Sequence, residues 1–84
     1  MMRKALTLEI IAEIQIFMIT LSINGDSHTL KTALSLRDLL ISLDLDPKKV
    51  AVERNLEIVP KSTFSSQMIE TGDNLEIVHF IGGG

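Results

Sequence analysis

The chain has 84 residues, 8 Lys plus Arg against 11 Asp plus Glu, a formal net charge of −3, and no cysteine. That length holds one small domain. The acidic balance and scattered basic residues argue against a nucleic-acid surface, and the missing thiols exclude a disulfide framework, a thiol nucleophile and a thiolate metal site.

Residues 1–17 begin with Arg3-Lys4 and an apolar run that Glu9 and Glu13 interrupt, with no small-residue cleavage site after it. The run is too short and too polar to span a bilayer, and despite its basic start and apolar stretch it is not expected to act as a signal peptide. Leu6, Ile10, Ile14 and Phe17 share one helical face, although from Glu13 onward the pattern also fits a strand. We read 1–17 as an N-terminal extension, mobile or helical, ahead of a domain over 18–80, with 81–84 a flexible tail. No membrane contact and a cytoplasmic location are expected.

From Met18 the order of elements is legible. Ile19-Thr20-Leu21-Ser22-Ile23 alternates as a half-buried strand does, and Asn24-Gly25-Asp26 is a hairpin signal. Ser27 to Lys31 reads as the returning strand. Ser35 caps a helix with Asp38 at its third position and a stripe of Leu36, Leu39, Leu40 and Leu43. Residues 44–47 end it, because the residue before Pro47 disfavours the α region. Val50 to Arg54 is a third strand, Asn55-Leu56 a turn, and Glu57-Ile58-Val59 a short strand closed by Pro60. Residues 61–71 are irregular, with Phe64, Met68 and Ile69 expected to tuck inward. After the Gly72-Asp73 turn, Asn74 to Phe80 is the last strand.

The order ββαβββ, or ββαββ with a short helical turn, implies one mixed sheet with the helix on one face. The first and last strands then lie parallel and adjacent. Leu21, Ile23, Leu36, Leu39, Leu40, Val52, Leu75 and Ile77 are the predicted core. Alternation turns Glu76, Val78 and Phe80 to the open face.

Conventional catalysis finds little support. His28 and His79 sit at no ligand spacing, and Ser62, Ser65 and Ser66 lack a nucleophile elbow. Asp44 and Asp46 flank a proline turn that they cap. The unusual feature is Gly82-Gly83-Gly84, set directly after an apolar strand. Glycines add nothing to a core, yet they form a thin arm that enters a narrow channel and presents an unhindered carboxylate. The plain alternative is a tail with no role.

The segments "INGD", "SLRDLLISLDL", "VAVERNLEIVP" and "GDNLEIVHFIGGG" together resemble the ThiS family, the sulfur carriers of thiamine thiazole biosynthesis. The likeness spans about four-fifths of the chain, from Met18 to Gly84. It departs in residues 1–17 and at Leu56, which stands where Gly is common and is expected to loosen that turn. The resemblance implies an α+β fold, the ubiquitin-like β-grasp, with a flexible C-terminal glycine tail, and a carrier in place of an enzyme. It implies that a ThiF-like adenylyltransferase activates the Gly84 carboxylate with MgATP, no cofactor being bound by the carrier itself. A cysteine-desulfurase-type donor then supplies sulfur, and the Gly84 thiocarboxylate passes it to thiazole synthase. Gly82 and Gly83 keep the arm narrow, while Val78, Phe80 and Ile81 are the expected partner-binding residues. Three other readings stay open at this point: a molybdopterin-synthase small-subunit-like carrier, a ubiquitin-like protein modifier, and an interaction module that uses the open sheet face alone.

Overall fold

Ile19–Ile23 (β1) and Asp26–Leu30 (β2) form an antiparallel hairpin with Ile23 opposite Asp26. Its two-residue turn places Asn24 at φ 50° and Gly25 at φ 87°. Positive φ at both positions gives the turn the twist of its strands. The computed structural model describes residues 18–80, so the readings of 1–17 and of 81–84 lie outside the described residues.

The helix Leu36–Ser42 (α1) follows, and Ser35 Oγ accepts the Asp38 N–H at 3.1 Å as expected. The first helical donors, otherwise orphaned, are taken by a later loop: Leu36 N–H donates to the Gln67 carbonyl and Arg37 N–H to that of Phe64. The helix ends at the expected stretch, but by a different device. Asp44 adopts φ 60°, its N–H donates to Ile41 C=O, and Leu45 N–H donates to Leu40 C=O. This pairing closes a helix through a left-handed residue, so α1 ends before Pro47 acts, with aspartate in the place glycine usually fills. Asp46 caps the 3-10 turn Pro47–Lys49 by accepting the Lys48 N–H at 2.9 Å.

Val50–Arg54 (β3), Glu57–Ile58 (β4) and Asn74–His79 (β5) complete one mixed sheet in the order β2-β1-β5-β3-β4. As predicted, β5 is central and runs parallel to β1; it is antiparallel to β3. The helix face of the sheet carries Ile19, Leu21, Ile23, Val50, Val52 and Leu75, packed with Leu36, Leu39, Leu40, Phe64 and Ile69. Seven of the eight predicted core residues are buried, and Ile77 is partly so. Ile19 and Val50, at strand starts, extend the core beyond the predicted set. Met68 corrects an expectation: it is 45% exposed. The Ser35–Met68 bridge makes that segment extended, and with Ile69 inward its neighbour must point outward.

Leu56 brings a second correction. The β3–β4 turn is not loosened: Asn55 at φ 53° and Leu56 at φ 72° make the same tight geometry as the first hairpin. The left-handed region costs an L-residue roughly 1–2 kcal/mol, and the Leu56 side chain, 84% exposed, has no burial to offset it. Leu56→Gly is expected to stabilise the domain by about 0.5–1 kcal/mol, the relief of strain exceeding the extra entropy of unfolded glycine. A thermal midpoint unchanged or lowered relative to wild type would show that the turn is unstrained.

The far end of the sheet is locked by one carboxylate. Asp73 is 4% exposed; its Oδ2 accepts from Arg54 Nε at 2.9 Å and from Glu70 N–H at 2.8 Å, and its Oδ1 accepts from Asn55 Nδ2 at 3.2 Å. Asn55 Oδ1 in turn accepts Asn74 N–H at 2.9 Å. Burial opposes ionisation of Asp73, but the Arg54 hydrogen bond, the Glu70 and Asn55 donors and the guanidinium charge outweigh it. They hold the carboxyl below its usual value. No helix among the described residues is long and apolar enough to cross a membrane.

Candidate functional site

β5 has two unlike ends. At Asn74 it is bound into the Asp73 network, whereas at His79 it leads toward the glycines. Its last anchors are the Phe80 N–H to Lys49 C=O bond at 2.8 Å and Lys61 Nζ, 4.9 Å from the Phe80 ring centroid. Lys61 is itself steered by donating to the Lys48 carbonyl at 2.9 Å.

Val78 lies on the face away from α1, opposite Ala51, and Val78 and Phe80 are 61% and 45% exposed. The register adds neighbours: Ala51 lies opposite Val78, Glu53 opposite Glu76, and Ile58 opposite Glu53. A shallow depression of ≈ 230 Å³ runs between Ala51, Val52, Glu53, Ile58, Glu76 and Val78. Its apolar part lies beside the exit of the chain. Glu53 and Glu76 face each other directly, and neither forms an ion pair among the described residues. Directly opposed like charges weaken a sheet, so a basic group arriving from outside would relieve them.

Sequence reasoning missed Ala51, Glu53 and Ile58 as members of this face. The alternation of β3 already held the first two, but Ile58 needed the β3–β4 register. Ile81, Gly82, Gly83 and Gly84 lie outside the described residues.

The other candidates for chemistry are dispersed. His28 and His79 are on β2 and β5, with β1 between them. Ser66 Oγ donates to the Thr63 carbonyl at 3.1 Å and caps a local turn. No group of three or more His, Asp or Glu that could hold a metal occurs among the described residues.

A model of the ThiS family matches residues 14–84. The chain belongs to the ThiS family. The sulfur carrier protein ThiS of Bacillus subtilis is 43% identical over 65 residues, covering 76% of this chain and 98% of that protein. The crystal structure of the thiamine biosynthesis protein ThiS from Geobacter metallireducens superposes with a TM-score of 0.68 at 30% identity, over 79% of this chain and 100% of that one. The five-stranded sheet with one helix is therefore the ubiquitin-like β-grasp of ThiS proteins. A thiazole synthase of Paramagnetospirillum magneticum is 52% identical over 64 residues, which is 76% of this chain and 20% of that protein. The chain thus spans about a fifth of that relative's length.

Within this family the two halves of the sequence signature separate in space. Arg54, Asn55 and Asp73, from "ERN" and "GD", bind one another at the start of β5. Val78 and Phe80, from "IVHF", sit exposed at its other end. The first group holds the fold, and the second leads to the glycines.

Proposed function

We propose that this ThiS-family chain is the sulfur carrier for thiazole formation, with the Gly84 carboxylate as the reacting group. The observation that carries the reading is the placement of β5: the central strand brings the chain out beside an exposed apolar patch, with Gly82, Gly83 and Gly84 next but one in sequence. Such a patch provides affinity that a glycine arm lacks, while the arm supplies reach without bulk.

A carboxylate resists nucleophilic attack until one oxygen becomes part of a good leaving group. In the proposed sequence a Gly84 oxygen attacks the α-phosphorus of MgATP in a ThiF-like adenylyltransferase, releasing pyrophosphate. A persulfide sulfur from a cysteine-desulfurase-type donor then attacks the acyl carbon, and AMP departs. A thiol cleaves the resulting acyl disulfide, leaving the Gly84 thiocarboxylate. Thiazole synthase accepts that sulfur. The reactive acyl group needs a site closed to water, which a thin arm can enter. The likeness to part of a thiazole synthase supports the acceptor, and the likeness to the Bacillus carrier supports the role.

The test is C-terminal amidation, which removes the reacting oxygen and preserves tail length. Incubated with a cognate adenylyltransferase, MgATP and sulfur donor, the unmodified chain is expected to gain mass by exchange of oxygen for sulfur, and the amidated chain to gain none. Sulfur acquisition by the amidated protein would sink the carrier reading. Sulfur transfer from the loaded chain to molybdopterin synthase, with none to thiazole synthase, would replace the proposed acceptor.

A further inference from the structure

β1 stops at Ile23, whose partner is Leu75, yet β5 runs four residues further. A strand that outruns its neighbour leaves N–H and C=O groups unpaired on that side. The Asn55–Asn74 and Phe80–Lys49 bonds turn the even-numbered residues of β5 toward β3, so Ile77 directs its backbone polar groups to the β1 side. There Asn24 takes the place of the missing strand. Its backbone N–H donates to Leu75 C=O at 2.8 Å; its Oδ1 accepts from Ile77 N–H at 2.7 Å; its Nδ2 donates to Ile77 C=O at 3.2 Å.

A carboxamide is suited to this because it offers a donor and an acceptor at one end. The positive φ of Asn24 lets the side chain turn back onto β5. The hairpin alone does not demand asparagine, since glycine satisfies that turn position equally well. Both side-chain bonds are exposed to solvent, where such bonds contribute modestly to stability. Their distinctive effect is directional: they hold β5 from the β1 side, seven residues ahead of Gly84.

We propose that Asn24 is a positioning residue for the carrier reaction, clamping β5 at Ile77 so that the chain leaves the sheet in one direction beyond Phe80. The proposal rests on the carrier reading. Without the clamp the end of β5 is held from the β3 side alone, and the direction of the chain at Phe80 is less fixed. Fewer arrivals of the Gly84 carboxylate then have reactive geometry, while the apolar patch still docks. Misplacement by about 1 Å can cost up to a hundredfold in rate, and loosening one of two anchors is a milder change.

Two variants of the full chain test this with a cognate ThiF-like adenylyltransferase, MgATP, a cysteine-desulfurase-type sulfur donor and a thiol, the components that let AMP depart. Asn24→Gly keeps the turn and removes the clamp; Asn24→Asp keeps an acceptor for Ile77 N–H and loses the donor. For Asn24→Gly we expect kcat of carrier-dependent AMP formation to fall by about five- to tenfold. KM should stay within about twofold, and amide exchange at Ile77 should quicken. Asn24→Asp should fall between this variant and wild type. Wild-type kcat in the folded glycine variant, a change in KM alone, or unchanged exchange at Ile77 would each overturn the proposal. Failure of the carrier reading is distinguishable, because the wild-type chain itself would then show no AMP turnover.

Discussion

Asp73→Ala is expected to destabilise the domain by about 3 kcal/mol, the cost of removing one partner from a buried ion pair. The substitution leaves Arg54 Nε, Asn55 Nδ2 and Glu70 N–H without their shared acceptor. Those donors belong to the end of β3, the β3–β4 turn and the loop before β5, so three segments lose their common tie. For a domain of this size the thermal midpoint should fall by about 15 °C. The pH dependence follows from the same contacts. Because the folded carboxyl titrates below its unfolded value, its stabilisation is complete above about pH 4 and is lost as pH falls toward the folded pKa. Wild type should therefore lose stability steeply below about pH 4, and Asp73→Asn should show a shallower decline there. A midpoint within about 3 °C of wild type for Asp73→Ala, or equal acid slopes for the two proteins, would refute this account.

Local chemistry made most of the fold legible. Alternation set β1 and β3 at the observed bounds, Asn24-Gly25 set the hairpin, and Ser35 set the start of α1. What escaped reading depends on contacts distant in sequence or on residues in unfavoured backbone states. Asp73 looks like a turn residue until the fold brings Arg54 and Asn55 to it across 19 and 18 positions. Asp44 and Leu56 adopt left-handed φ where propensity points to glycine, because a helix end and a two-residue hairpin impose it. Hydropathy points Met68 inward, and the extended pairing with Ser35 reverses it.

For the candidate site, Val78 could be placed on the open face because β5 alternates regularly. Asn24 could not be linked to Ile77, since 53 residues separate them and no periodicity encodes a side chain standing in for a strand. The Glu53–Glu76 opposition likewise requires the β3–β5 register. Sequence thus indicated which residues of β5 face outward, and the fold supplied what lies beside them.

Val78→Asp is expected to raise KM for carrier-dependent adenylation by about 30-fold, close to 2 kcal/mol of lost docking. Val78 is the exposed apolar residue of β5 bordering the depression, between Ala51 and Ile58 on one side and the exit of the chain on the other. A carboxylate there must be desolvated when a partner covers the patch, and it adds a third negative charge beside Glu53 and Glu76. The side chain is mostly exposed, so the folded state should lose only about 1 kcal/mol, the range of strand preference. The variant should remain folded at assay temperature. Thr20→Asp, on the same face but on β1, serves as the control: it adds the same charge away from the exit and should leave KM within about threefold, inside the usual range for surface substitutions. Because the reacting group is untouched, kcat at saturating Val78→Asp should approach that of wild type. A folded Val78→Asp protein with wild-type KM would remove this face from the docking surface. A fall in kcat at unchanged KM would instead assign Val78 to guiding the arm, the effect expected of Asn24.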